Sequence, residues 1–156
     1  MLYFAYGSNM YLTQMQERCP SARFECVARL QDHRLAFSHF SKKRQCGVAD
    51  MLKQTGFEVW GAVFEIGAHE IGELDRSEGY RTGRQRGQNS YERSEILVER
   101  VGDVEVTIPV WTYTVVNKLD PNPSPSQAYM QLIVDGARMW RLPTAYIQQL
   151  EAIEFR

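Results

Sequence analysis

Two segments rich in strand-forming residues, 91–101 and 104–116, are separated only by Gly102 and Asp103. A connection this tight joins antiparallel neighbours in a hairpin, although the order Gly-Asp reverses the usual Asp-Gly. The segments before it are mostly of the same kind. Residues 2–6 read as a strand. So does most of 24–40, with a polar break at Gln31-Asp32-His33, and so does the short run 46–52. The strongest strand signal is 57–66, with Val59, Trp60, Val63, Phe64 and Ile66. Helical patterns are inserted or appended. One covers 10–18, with Asn9 as its cap and Pro20 as its stop. Another lies near 68–76, with Ile71 and Leu74 on one face. A third covers 127–139, capped by Ser124 or Ser126, with Met130, Ile133, Val134 and Ala137 turned inward. The last covers 144–153, with Pro143 in its first turn. Residues 81–90 hold no apolar side chain and read as an exposed loop. This order predicts an α+β fold on an antiparallel or mixed sheet, not a doubly wound parallel one.

The 156 residues carry no repeat or linker and predict one domain over 1–156. Hydrophobic content of 44% and a formal net charge of −1 fit a globular chain with a real core. That balance gives no electrostatic reason to expect nucleic acid or an anionic membrane as partner. No segment approaches the roughly 18 apolar residues of a membrane span. The apolar run 2–6 is too short for a signal sequence, so the expected compartment is the cytoplasm. Cys19, Cys26 and Cys46 form no C-x-x-C, and His33, His39 and His69 form no H-E-x-x-H. No metal site is expected.

Two places can carry chemistry. At Tyr6-Gly7-Ser8-Asn9 a strand ends in a glycine turn that opens a helix. Unpaired amides and the helix dipole there favour a carboxylate or phosphate, and Gly7 allows close approach; the plainer reading is a turn with a cap. There is no Walker A pattern, and Ser8 lacks the second glycine of a nucleophile elbow. The second place is Glu78, at a helix exit. The dipole's negative end and apolar neighbours would raise its pKa toward neutrality and suit it to proton shuttling; the plainer reading is a solvated loop acid. Asp75 can cap the helix or pair with Arg76 or Arg81. Tyr3, Tyr6, Tyr80, Tyr91, Tyr113 and Tyr129 can pack or line a polar pocket. Arg81, Arg84 and Arg86 form one basic group, and Lys42, Lys43 and Arg44 another. Both read as solvated charge, or else the arginine loop covers a pocket and meets a substrate carboxylate.

Taken together, these pieces resemble the γ-glutamylcyclotransferases. Tyr3-Phe4-Ala5-Tyr6-Gly7-Ser8-Asn9 is similar to the family's opening strand and loop, and Cys26-Val27-Ala28-Arg29-Leu30 to its second strand. Val59-Trp60-Gly61, then Leu74-Asp75 and Glu78-Gly79, resemble the segment with the family's catalytic glutamate. Pro123-Ser124-Pro125-Ser126, Tyr129, Gly136-Ala137, Leu142-Pro143, Tyr146 and 150–154 resemble its C-terminal helices. The match is collinear over nearly the whole chain. It implies a small mixed/antiparallel β-barrel decorated by helices, often a homodimer, and a reaction without cofactor. A γ-glutamyl amino acid or amide would cyclise to 5-oxoproline and release its amine. The resemblance makes Glu78 the general acid/base. It places the glutamyl end on Tyr3, Phe4, Ala5, Tyr6, Gly7, Ser8 and Asn9, partly through backbone N–H groups, and Tyr129 on the pocket wall. The stretch after Gly79 is longer than in many relatives and borders the pocket, where it bears on the leaving amine. The family also holds members acting on γ-glutamyl-lysine amides and on antibiotic intermediates, and members of no assigned activity. A non-catalytic or differently specific binding protein is therefore the alternative. A Ser8 hydrolase would need a histidine beside Ser8.

Overall fold

The computed structural model describes residues 1–102 and 104–156, so Asp103 of the expected hairpin connection lies outside the described residues. Five strands close into a barrel in the order β1-β3-β2-β4-β5. They are β1 (Leu2–Ala5), β2 (Arg23–Ser41), β3 (Cys46–Glu65), β4 (Tyr91–Arg100) and β5 (Val106–Val115). Four contacts are antiparallel; the fifth, β1 with β5 at Tyr3 and Trp111, is parallel, so the sheet is mixed. Closure removes the exposed edges that an open sheet of this size would leave. The helices are α1 (Leu12–Arg18), α2 (Ile71–Ser77), α3 (Gln127–Met139) and α4 (Thr144–Glu151), with single 3₁₀ turns at Ser8–Met10, Ala68–Glu70 and Arg86–Gln88.

The segments 46–52 and 57–66, read separately from sequence, are one strand of 20 residues paired with a 19-residue β2. The polar break at Gln31-Asp32-His33 is an irregularity in that pairing. Gln31 lies opposite Glu58 and His33 opposite Lys53, leaving residues 54–57 as an outward bulge. Asp32 adopts φ 56°, and its Oδ1 accepts the Gly56 N–H at 3.1 Å. Short polar side chains tolerate the left-handed region, so the strand turns there without ending.

Phe4, Phe64, Met10, Met15, Leu74, Ile133, Val59 and Val63 of β3, Val98 of β4, and Val110 and Val115 of β5 are fully buried. Gly61 lets β1 lie against β3, since a Cβ there would come 2.3 Å from the Ala5 carbonyl oxygen. Ser126 caps α3 by accepting the Tyr129 N–H at 3.2 Å, whereas Ser124 uses its carbonyl to hold Gly47 N–H at 2.8 Å. Asn9 does not cap α1: it lies within the Ser8–Met10 turn, and Tyr11 precedes the helix with no side-chain cap. No helix is long and apolar enough to cross a membrane, among the described residues.

Candidate active site

Where β1 leaves the barrel, the chain tightens into the Ser8–Met10 turn. Its first bonds run from Met10 N–H to Gly7 C=O and from Tyr11 N–H to Ser8 C=O, both 3.1 Å. The amides of Ser8 and Asn9 precede the first intrahelical donor and have no partner within the turn. They border a cavity of about 500 Å³, within the size range of small-molecule sites. Tyr3, Tyr6, Gly7, Ser8, Asn9, Glu78 and Tyr129 all line it. Gly7 is needed for proximity: a Cβ would sit 3.1 Å from Ala49 Cβ and 3.4 Å from the Tyr129 hydroxyl. Phe4 and Ala5 do not reach the cavity. Both are fully buried, Phe4 in the core and its carbonyl bonded to Thr112 Oγ1 at 2.9 Å. Side chains alternate along a strand, and the Phe4 side chain goes to the face opposite that of Tyr3.

Glu78 follows the last residue of α2. Its N–H bonds the carbonyls of Leu74 and Asp75, and Gly79 at φ 64° turns the chain away in a left-handed helix stop. The side chain is 14% exposed and reaches the Ser8–Met10 turn. Its Oε1 accepts from Asn9 Nδ2 and from Arg18 Nη1, each at 3.0 Å. Asn9 Nδ2 also meets the Tyr3 hydroxyl at 2.9 Å, and Asn9 Oδ1 accepts from Arg18 at 2.7 Å and Gln14 Nε2 at 2.9 Å. Gln14 and Arg18 stand four apart on α1, so they share a face. Burial pushes the Glu78 carboxyl above the ordinary carboxylate range; Arg18, Asn9 and Arg44, in that order, pull it back without cancelling the rise.

A wall of phenols surrounds this carboxyl. Burial raises the pKa of Tyr3, Tyr6, Tyr91, Tyr113 and Tyr129, the last to about 12, so all remain protonated at neutral pH. Most are also fixed. Tyr6 donates to the Tyr113 carbonyl at 2.6 Å, Tyr91 to the Ala49 carbonyl at 2.6 Å, and Tyr113 to Asp75 Oδ1 at 2.7 Å. Tyr129 accepts the Ala49 N–H at 3.0 Å. Asp75 is engaged by Tyr113 and, at 3.5 Å, by Arg93, not by Arg76 or Arg81. Tyr80 packs under the Arg93 guanidinium outside the cavity.

The arginine loop does not cover the cavity. Arg84 is held by Asn89 and the Gly79 carbonyl, and Arg86 forms a two-bond pair with Glu92. The cavity cations are Arg18, Arg76 and, from the other basic group, Lys42 and Arg44. Arg18 and Gln14 carried no recognisable sequence signal, because their partners are set by the docking of α1 beside α2. Ser8 Oγ accepts from Gln14 Nε2 at 2.8 Å, and no histidine bonds it among the described residues. Nor do three His, Cys, Asp or Glu side chains group to hold a metal among those residues.

Fold and site define a small closed barrel with helices at one mouth, where one carboxyl lies beside a glycine turn. Residues 58–150 match the AIG2-like family model. Over 157 aligned residues the chain is 38% identical to the γ-glutamylcyclotransferase of Mus musculus and 36% identical to that of Homo sapiens. Each match spans 98% of this chain and 78% of the relative. A solved γ-glutamyl cyclotransferase structure superposes with a TM-score of 0.89 at 33% identity, covering 100% of this chain and 89% of that one. The chain belongs to the γ-glutamylcyclotransferase family.

Proposed function

We propose that this chain is a γ-glutamylcyclotransferase in which Glu78 is the single general acid/base. The observation that carries the reading is the contact between Glu78 and Asn9: a partly sequestered carboxyl lies within hydrogen-bonding distance of the turn that ends β1. Oε1 is occupied by Asn9 and Arg18, while Oε2 accepts no bond among the described residues. Oε2 is the oxygen left to act on a ligand.

In this reading the amides of Ser8 and Asn9 hold the glutamyl end, with Tyr3, Tyr6 and Tyr129 as walls. Ionised Glu78 takes a proton from the substrate α-ammonium. The freed amine attacks the γ-carbonyl carbon, and a nitrogen–carbon bond closes the five-membered ring. The electron pair displaced onto the carbonyl oxygen is met by N–H or phenol donors. As the carbonyl re-forms, the bond to the leaving amine breaks and that nitrogen takes the proton back from Glu78; the ring nitrogen, still carrying one proton too many, gives it up through the same carboxyl to the departing amine. The products are 5-oxoproline and the amine as its ammonium, with no net proton or electron change. Ring closure is intramolecular, so holding the substrate folded supplies much of the rate. One carboxyl alternating between base and acid supplies the rest. A cytoplasmic location belongs to the same proposal, since Cys19, Cys26 and Cys46 are buried free thiols that suit a reducing compartment. So does a homodimer, carried over from the family resemblance.

The test is turnover of a panel of γ-glutamyl dipeptides and amides, read as 5-oxoproline. Glu78→Gln keeps the shape of the side chain but cannot accept the proton. It should lower kcat by about a thousandfold with an unchanged circular dichroism spectrum. Full activity in Glu78→Gln would sink the assignment.

A further inference from the structure

The cavity holds more positive charge than the carboxyl of Glu78 balances. Arg18 is bound to Glu78, and Arg76 is held by both oxygens of Glu73 at 2.6 and 2.8 Å. Arg44 and Lys42 also line the cavity, and neither makes a salt bridge among the described residues. His39 on the same wall is kept neutral by burial, which lowers its pKa. Arg44 is nonetheless fixed. Its Nη2 donates to Gln14 Oε1 at 2.6 Å, and its guanidinium lies 5.1 Å from the centre of the Tyr129 ring. These partners are neutral, so they orient the cation without neutralising it and leave N–H donors free. The residue sits in a built turn between β2 and β3. Gln45 N–H bonds Ser41 C=O at 2.7 Å, Arg44 N–H bonds Ser41 Oγ at 3.1 Å, and Gln45 adopts φ 55°. Lys42 in the same turn is exposed at the rim.

We propose that Arg44, supported by Lys42, is a subsite for a carboxylate on the amine half of the substrate, and that it selects γ-glutamyl amino acids over γ-glutamyl amines. This rests on the cyclotransferase reading and deepens it. The glutamyl half fixes where its own carboxylate goes. Its α-ammonium must meet Glu78, the α-carboxylate is attached to the same carbon, and the amides of Ser8 and Asn9, which have no partner among the described residues, lie next to the Glu78 contact. The amine half must extend from the γ-carbonyl, several bonds away from that α-carbon. Arg44 belongs to a different element from the Ser8–Met10 turn and is joined by hydrogen bonds to the Glu78 contact through Gln14 and Asn9. A γ-glutamyl amino acid brings two carboxylates and one ammonium, which match the turn amides, Arg44 and Glu78. A γ-glutamyl alkylamide brings one carboxylate and leaves Arg44 uncompensated. Guanidinium–carboxylate pairing in two parallel bonds is the strong and directional form of this contact.

The experiment compares kcat/KM for γ-glutamylalanine and γ-glutamylethylamide, which present similar bulk and differ in the carboxylate. The quantity read is the ratio of the two. Arg44→Gln should lower that ratio about 30-fold, the size of a lost charge-assisted bond. Arg44→Lys should recover part of it. If Arg44 instead served the glutamyl α-carboxylate, or only braced Gln14, both substrates would lose activity alike and the unchanged ratio would overturn the proposal. A wild-type protein that already prefers the ethylamide would overturn it as well. A wild-type protein that turns over neither compound would remove the cyclotransferase reading itself, an outcome distinct from an unchanged ratio.

Discussion

At the scale of single residues, the state of Glu78 is a contest between burial and Arg18. Burial wins, so the carboxyl titrates above its usual range. Every charged or titratable group that faces it enters the balance. Arg18 from α1 and Arg44 from the β2–β3 turn favour the ionised form. The phenols Tyr3, Tyr6, Tyr91, Tyr113 and Tyr129, from β1, the turn after it, β4, β5 and α3, stay neutral and exert no charge. Arg18 is thus a positioning residue that also tunes the carboxyl. Since the first step needs Glu78 ionised, activity should rise with pH through its pKa. Arg18→Met removes the larger of the two opposing charges, so the pKa rises further and the acid limb of kcat/KM moves to higher pH, by about one unit. Arg18→Lys keeps the charge and should hold the limb near its original place while lowering kcat, because a flexible ammonium replaces the planar guanidinium whose Nη1 bonds both Glu78 and Asn9. A purely structural Arg18 would cut activity without moving the limb. A pH–rate profile of the two variants separates these outcomes.

At the scale of elements, the site depends on how α3 presses on the Ser8–Met10 turn. Gly136 makes the approach possible: a Cβ there would lie 2.7 Å from the Met10 carbonyl carbon and 2.8 Å from Tyr11 N. The same turn is tied from beyond α3 by Trp140 Nε1, which donates to the Met10 carbonyl at 2.7 Å. Those neighbours are backbone and cannot swing aside, so Gly136→Ala should push α3 outward at a cost of about 2 kcal/mol. It should also raise KM, because the Ser8 and Asn9 amides move with the turn. Urea unfolding checks the first effect and dipeptide kinetics the second; lost stability with unchanged KM would uncouple α3 from the turn. These relations mark what the sequence could convey. The extent of α3 was readable from its apolar period and Ser126 cap, and Gly7 and Glu78 stood out because strand-to-turn and helix-to-turn boundaries concentrate unpaired backbone groups. Arg18 and Gln14 were not readable. Their period marks a helix face, but what that face meets depends on a contact 60 residues away along the chain. The arginine loop misled for the same reason. Composition marked 81–90 as polar but could not reveal that Arg84 and Arg86 already have partners in Asn89, Gly79 and Glu92. The β3 strand was divided in two because Lys53, Gln54, Thr55 and Gly56 between the two apolar runs are polar or turn-forming and look like a turn, although pairing with β2 holds on both sides of the bulge.

At the scale of the whole molecule, the barrel is cross-tied by a buried carboxylate that the proposed chemistry does not use. Asp50 on β3 is fully buried. Its Oδ2 accepts from Ser38 Oγ of β2 at 2.6 Å and from Lys118 Nζ at 2.5 Å, and its Oδ1 accepts the Val115 N–H of β5 at 3.0 Å. Lys118 follows β5, donates also to the Val115 carbonyl at 2.8 Å and keeps 41% of its side chain exposed. One side chain thus joins the paired strands β2 and β3 to β5, which pairs with neither of them. The asymmetry of burial decides which partner matters more. Lys118 released from Asp50 can hydrate at the surface; Asp50 released from Lys118 stays dry with its charge uncompensated. Lys118→Met should therefore destabilise the protein by about 3 kcal/mol, the low end for a broken buried pair, because Ser38 and Val115 still hold the carboxylate. At this chain length that corresponds to a fall in Tm of about 6–12 °C. Adding Asp50→Asn to Lys118→Met removes the stranded charge while keeping an acceptor for Val115 N–H and giving an amide donor that the Ser38 hydroxyl can accept, and it should restore at least half of the loss. Thermal and urea melts of the two single variants and the double variant complete the cycle. If Lys118→Met costs under about 1 kcal/mol, the two neutral donors suffice to hold Asp50, and closure of the barrel owes little to the ion pair.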